Sequence, residues 1–232
     1  MSRLGGGIGT RGPGETKLET ERRAIQKRIS RLQQEVNQLQ AHRSRLRLRR
    51  QNQEVPSVAL VGYTNAGKST LFNRLTHSGV YAADQLFATL DTTSRKMYLP
   101  DANPVVLSDT VGFIKHLPTT LVEAFGATLE EAAQADLLLH VVDVASTNRD
   151  AQIDQVNAVL HEIGASRVPQ VLVLNQIDRV HMPAGMERDE YGNIAKVRIS
   201  AITGAGLDDL RLALIERQQQ LKRLSTEESA YA

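Results

Sequence analysis

The chain has 232 residues with 28 Lys and Arg against 26 Asp and Glu, a net charge of +2, and no cysteine. That length holds one sizeable domain and an appendage, and the lack of cysteine excludes a disulfide framework, thiol chemistry and Cys-based metal sites. No run of about 18 apolar residues reads as a membrane span and no signal peptide is visible at the first residues, so a cytoplasmic setting is expected.

The modest net charge conceals an asymmetry: thirteen of the 28 basic residues fall in residues 1–54, with only five of the 26 acidic ones. A basic arm therefore precedes a mildly acidic remainder, and such an arm suits phosphate-rich partners or a solvated helix face. Residues 4–14 hold six glycines and a proline and read as loop. From Glu15 or Thr16 to about Arg50 the pattern is helical. Leu18, Ile25, Leu32, Leu39 and Leu46 recur every seven residues, with Ile29 and Val36 between them, a stripe that calls for a partner helix. No helix of similar length lies within residues 1–54, so the chain is expected to be a fragment cut after the first helix of a hairpin, the alternative being a helix that packs on the following domain. Arg43, Arg45, Arg47, Arg49 and Arg50 crowd the end of the helix, and Gln51 to Glu54 read as a linker.

Beyond Val55 short apolar runs alternate with helical ones. Strands are predicted at Ser57–Val61, Ser94–Leu99, Val105–Ser108, Leu137–Val144, Gln170–Leu174 and Lys196–Ile199. Helices are predicted at Lys68–Thr76, Leu121–Ala135, Asp150–Ile163 and Gly206–Leu221, leaving 222–232 as a tail. This order predicts an α/β domain over 55–221 with a mostly parallel sheet covered on both faces, and ligands beyond the carboxyl ends of its strands.

The first such end carries Gly62-Tyr63-Thr64-Asn65-Ala66-Gly67-Lys68-Ser69, a fit to G-x-x-x-x-G-K-[ST] between a predicted strand and a predicted helix. Loop and helix N–H groups would cradle phosphates, Lys68 would reach the β- and γ-phosphates, and the Ser69 hydroxyl would bind Mg²⁺, with Thr70 beside it. This motif alone leaves ATP and GTP open. Asp109-Thr110-Val111-Gly112 closes the next strand, where Asp109 can hold the Mg²⁺ shell and the Gly112 N–H can sense a γ-phosphate. Asn175-Gln176-Ile177-Asp178 and Ser200-Ala201-Ile202 close two later strands, and Phe87-Ala88-Thr89-Leu90-Asp91 lies in the loop before Asp109. His140, in an apolar strand, reads as a packed or capping residue, and Asp143 as the cap of the next turn. His116 reads as a surface or partner contact.

In that order the segments resemble the five motifs of a Ras-like, translation-factor-class GTPase. The resemblance implies that Asp178 and Asn175 select guanine, that Ser200 and Ala201 support the base, and that Thr89 binds Mg²⁺ and the γ-phosphate. It narrows further. Gly6-Gly7-Ile8-Gly9-Thr10-Arg11-Gly12-Pro13-Gly14-Glu15-Thr16, then Leu18-Glu19-Thr20, is similar to the signature before the G domain of HflX proteins. Val61 to Asn73 looks like the P-loop of that family, and Ala82 to Asp91 and Asp109 to Ile114 look like its switches. An HflX-type protein implies a P-loop GTPase preceded by a long basic helix. It also implies an N-terminal α/β segment before the glycine-rich loop, and in some members a C-terminal domain, which are expected to lie outside this sequence. The implied activity is Mg²⁺-dependent GTP hydrolysis, with Lys68, Thr89 and Gly112 as the catalytic set. The implied switches are Ala82–Thr93 and Asp109–Pro118. The implied partners are GTP or GDP and the large (50S) ribosomal subunit with its rRNA, the protein acting as a monomer that dissociates stalled ribosomes.

Three residues depart from or qualify this pattern. Gln176 stands where the family has Lys, which predicts weaker nucleotide affinity with guanine preference retained. Phe113 stands where many GTPases place a water-orienting Gln, so slow intrinsic hydrolysis, quickened by a docked subunit, is expected. In other GTPases an Asn at the position of Asn65 helps bind a monovalent cation, which makes K⁺ a candidate activator. A GTP-dependent RNA- or ribosome-binding module with little hydrolysis is the alternative reading.

Overall fold

The computed structural model describes residues 19–35, 38, 55–77, 93–100, 102–113 and 126–230. The chain divides into two units, Met1–Asn52 and Gln53–Ala232. In the first, residues 19–35 are helical. Arg23 pairs with Glu19 at 3.2 Å and Arg31 with Glu35 at 3.0 Å, contacts between residues one turn apart on the helix surface. Ile25, Ile29 and Leu32 of the heptad stripe are exposed. The remaining stripe positions and the arginines at 43–50 lie outside the described residues.

The second unit is built on a seven-stranded sheet in the order β2-β3-β1-β4-β5-β7-β6. Its strands are β1 (Ser57–Val61), β2 (Thr93–Met97), β3 (Val105–Asp109), β4 (Leu137–Asp143), β5 (Gln170–Asn175), β6 (Gly185–Arg188) and β7 (Ile194–Arg198). The inner pairs β1–β3, β1–β4, β4–β5 and β5–β7 are parallel, whereas β2 and β6 run antiparallel at the two edges. Among the described residues the unit also has helices α1 (Lys68–Thr76), α2 (Gly126–Ala133), α3 (Arg149–Glu162) and α4 (Leu207–Ala230).

Alternate residues of β1 and β4 supply two cores, as a strand period of two requires. Val58 and Leu60 of β1 face one cluster with Leu71 and Phe72 of α1 and Leu210 and Leu214 of α4. Ala59 and Val61 face the other with Leu129 of α2 and Val156 and Leu160 of α3. β4 reads as an apolar run, with His140 inside it and Asp143 at its end, because both of its faces are covered. His140 is buried, and that burial pulls its pKa down to about 4, with Lys68 adding to the fall and a side-chain bond with Gln170 opposing it. It packs as a neutral histidine.

Three differences from the sequence reading have plain causes. β6 escapes notice because Gly185-Met186-Glu187-Arg188 is short, half charged and supported on one side only. A short 3-10 turn at Ile177–Val180 follows β5; turns of this length leave no periodic trace. Helix α4 runs to Ala230, beyond the Leu221 limit read from the apolar pattern, since no Gly or Pro interrupts residues 222–230. Of the predicted helix Leu121–Ala135, residues 121–125 lie outside the described residues and the rest is helical over Gly126–Ala133.

Candidate functional site

Four of the predicted segments meet at the carboxyl ends of β1, β3, β5 and β7. The loop from Gly62 to Gly67 leaves β1 and enters α1 at Lys68. Gly67 caps that helix with φ +89°, a conformation that strains any side-chain-bearing residue. Space forbids one as well, because a Cβ there would lie 2.4 Å from Asn175 Nδ2. Gly112 is confined in another way: its Cβ would lie 2.8 Å from Thr64 Cγ2 and 3.0 Å from Lys68 Nζ. The glycine of the Asp109–Gly112 segment therefore sits against the loop and its lysine.

Lys68 is buried at the centre of this arrangement. Its ammonium donates to Gly62 O at 3.0 Å and Tyr63 O at 2.9 Å. Burial lowers its pKa to about 8, and the neighbouring Asp109 carboxylate opposes that fall. Asp109, fully buried, accepts a 2.7 Å hydrogen bond on Oδ2 from Ser69 Oγ. A hydroxyl and a carboxylate held side by side at the start of a helix form a hard oxygen donor set of the kind Mg²⁺ takes, the rest of its shell coming from phosphate and water. No group of three or more His, Cys, Asp or Glu able to hold a metal occurs among the described residues. Thr110 and Val111 are buried; Thr110 Oγ1 donates to Leu60 O at 2.6 Å.

Asn175, 2% exposed at the end of β5, ties the loops together. Its Nδ2 donates to Ala66 O at 2.9 Å, and its Oδ1 accepts from Ala201 N at 3.0 Å. One amide side chain thus fixes the phosphate loop to the Ser200–Ala201 turn. That turn is closed by Ser200 itself, whose Oγ accepts from Thr203 N at 3.1 Å and whose carbonyl accepts from Gly204 N at 2.8 Å. Ile202 is exposed beside it. Gln176 adopts φ +67° and donates through Nε2 to Asn65 O at 3.1 Å. Asp178 lies in the 3-10 turn, and its Oδ1 is buried with no hydrogen-bond partner among the described residues. A buried carboxylate oxygen without a donor is costly unless a ligand supplies one, so the residues present fit a purine carrying N–H groups on its edge.

The sequence-predicted residues Gly62 to Thr70, Asp109 to Gly112, Asn175 to Asp178 and Ser200 to Ile202 are therefore gathered at one end of the sheet. Phe87, Ala88, Thr89, Leu90 and Asp91 lie outside the described residues, as does His116. Asp143 caps the following turn, accepting from Ala145 N at 2.8 Å. Sequence reasoning missed its second partner, Arg179, 3.2 Å away. It also missed where Phe113 goes. The side chain is 2% exposed and packs in the cluster with Val61 and Leu138. The Phe113 backbone clips onto the phosphate loop through Thr64 N to Phe113 O at 2.9 Å and Phe113 N to Gly62 O at 3.1 Å. A hydrophobic side chain directly after Gly112 was the visible signal for that burial.

A phosphate loop on β1, an Asp–Gly segment on β3 and paired loops on β5 and β7 define the class of P-loop GTPases. Comparison with known proteins narrows the class. The family profile described as "50S ribosome-binding GTPase" matches residues 57–176, and that described as "GTP-binding GTPase Middle Region" matches residues 1–50. GTPase HflX of Caldanaerobacter subterraneus subsp. tengcongensis is 53% identical over 219 residues, which cover 94% of this chain and 49% of that protein. GTPase HflX of Escherichia coli K12 is 52% identical over 218 residues, covering 94% and 51%. A GTP-binding protein from Sulfolobus solfataricus, solved in complex with GDP, superposes with a TM-score of 0.58 at 26% identity, covering 89% of this chain and 62% of that one. Era of Aquifex aeolicus bound to GDP and AlF4⁻ shares the fold, with a TM-score of 0.57 at 21% identity, covering 70% of this chain and 56% of that one. The chain belongs to the HflX family of GTPases. It spans about half the length of these curated relatives.

Proposed function

We propose that this chain binds guanine nucleotides with Mg²⁺ and hydrolyses GTP to GDP and phosphate, slowly by itself and faster on the large ribosomal subunit. The observation that carries the reading is Asn175 joining the phosphate loop to the Ala201 turn, together with a buried Asp178 Oδ1 that has no hydrogen-bond partner among the described residues. Asp178 would accept from guanine N1–H and N2–H₂, whereas adenine offers no donor pair there and would leave the carboxylate buried and unmatched. The N–H groups at the start of α1 would receive the phosphates. Lys68 Nζ would exchange the carbonyls of Gly62 and Tyr63 for phosphate oxygens, and in that charged setting it would hold its proton. Ser69 and Asp109 would hold Mg²⁺, which offsets charge developing on the phosphates during transfer; Thr89 is the further ligand inferred from the motif. The Gly112 N–H would meet the γ-phosphate. In-line attack by water forms the new P–O bond as the bond to the β–γ bridging oxygen breaks, the protons leaving with the inorganic phosphate product. Asn65 is exposed at the crest of the loop, where its side chain can join a K⁺ ion.

Association with the large subunit and its rRNA, and dissociation of stalled ribosomes, are part of the proposal. The basic character of residues 1–54 supports them through backbone phosphate contacts whose strength falls with salt. Burial of Phe113 favours a second reading, a GTP-dependent binding module with little hydrolysis, because no side chain at that position can orient water. Titration with mant-labelled GDP and ADP, followed by single-turnover GTP hydrolysis with and without large subunits, tests both. Guanine-selective binding with subunit-stimulated turnover is expected. Equal affinity for the two nucleotides defeats the guanine site, and selective binding with no stimulation leaves the module reading.

A further inference from the structure

The carboxyl end of β5 grips the phosphate loop at two successive carbonyls: Asn175 holds Ala66 O, and Gln176 holds Asn65 O. A trans peptide points its C=O and N–H in opposite directions. Fixing the carbonyls of 65 and 66 therefore fixes the N–H groups of Ala66 and Gly67 inside the loop. The two grips differ in support. Asn175 is buried with both amide atoms satisfied. Gln176 is only half-buried and sits at φ +67°, a backbone conformation unfavourable for a glutamine. Something must hold it there, and the structure shows what does. Arg179 NH1 donates to Gln176 Oε1 at 2.6 Å and, from the same nitrogen, to Asp143 Oδ2 at 3.2 Å. Asp143 is itself anchored at the end of β4, where its Oδ1 caps Ala145 N. Asp143, Arg179, Gln176 and Asn65 O thus form one chain of hydrogen bonds from β4 to the crest of the loop.

We propose that Arg179 is a positioning residue for nucleotide phosphates: it orients the Gln176 amide, which in turn sets the peptide between Asn65 and Ala66. The inference rests on the guanine-nucleotide reading above and deepens it. Arg179 need not touch the ligand. Its two bonds lie near the surface, with the side chain 58% exposed, so each is screened and its loss costs the fold little. Its effect is to keep the loop ordered before the nucleotide arrives.

The test uses the 232-residue chain and its Arg179→Ala, Arg179→Lys, Gln176→Ala and Arg179→Ala/Gln176→Ala variants. Backbone hydrogen exchange of residues 63–67, measured without nucleotide, reads loop order directly. Mant-GDP dissociation reads its consequence. Arg179→Ala is expected to speed exchange at these amides and to raise the dissociation rate about three- to tenfold, the scale of one lost charge-assisted bond near a surface. The melting temperature should stay within about 2 °C. Arg179→Lys, which keeps a cation with several N–H donors, should recover most of the loss. The double variant should release mant-GDP no faster than Gln176→Ala, since both act through one path. Unchanged exchange and dissociation in Arg179→Ala, or additive effects in the double variant, overturn the inference. A lowered melting temperature with unchanged loop exchange assigns Arg179 a structural role and also overturns it. Failure of the native chain to bind mant-GDP overturns the nucleotide reading and this inference with it.

Discussion

Replacing Asn175 by alanine strands two backbone groups at once. Ala66 O loses its donor at 2.9 Å and Ala201 N its acceptor at 3.0 Å, and both bonds are buried. A buried backbone group left unsatisfied costs about 1–3 kcal/mol, so the variant should lose about 2–6 kcal/mol of stability in the ligand-free chain, less whatever water recovers by entering the gap. A second variant separates the two bonds. Asn175→Asp keeps an acceptor for Ala201 N but turns a carboxylate oxygen toward Ala66 O, a buried repulsion in place of a bond. It should disturb the phosphate loop at least as much as alanine does while sparing the Ala201 turn. Urea unfolding gives the stability of each variant, and mant-GDP titration gives the affinity. Because the loop must be re-ordered before phosphates can bind, affinity should fall at least tenfold in both variants, about 1.4 kcal/mol or more. If Asn175→Ala unfolds within about 0.5 kcal/mol of the native chain, the usual scatter of surface substitutions, and binds mant-GDP equally well, the reasoning fails.

Two other outcomes follow from buried side chains. Lys68 keeps its proton only to about pH 8 in the fold, against about 10.4 when unfolded. The unfolded state therefore binds more protons between those values, and this residue's contribution to stability rises with pH across that window. Lys68→Met should accordingly be stabilised relative to the native chain at pH 7.5, and that advantage should shrink by about 2 kcal/mol at pH 9.5; a constant difference in urea unfolding across the range would contradict it. Phe113→Gln places a polar amide where a 2% exposed ring packs, which should cost about 2–4 kcal/mol. GTP turnover should not rise, since the position faces the core; a tenfold faster single-turnover rate with unchanged melting temperature would refute that placement.

The central strands were legible because β1, β3 and β4 are buried on both faces and β5 on one, so that all four read as apolar runs, with ends off by at most one residue. The loops at their carboxyl ends were legible because phosphate chemistry demands fixed residue types at fixed spacing. What could not be read were relations between distant segments. Nothing in the spacing of Asn175 says that its two amide atoms serve residues 109 positions before and 26 after it. Nor does it say that Arg179 bridges Gln176 and Asp143, or that Phe113 turns inward. Those depend on the order β3-β1-β4-β5-β7, which places chain-distant loops side by side. β6 stayed hidden for the opposite reason: with one neighbour and little burial, it needs no apolar signature.

Among the described residues the sheet ends on both sides in an antiparallel strand. A bare strand margin invites another chain to pair with it and seed fibres. β2 meets that hazard with five residues, of which Arg95 and Lys96 are exposed. β6 meets it with four residues, a register break between Glu187 and Arg188, and ion pairs from Glu187 to Lys196 and Arg198. Short, charged or kinked borders make poor templates for strand addition. Concentrated solutions of the folded domain should therefore resist amyloid-like growth, and removing charge at Arg95 and Lys96 together would expose that risk first.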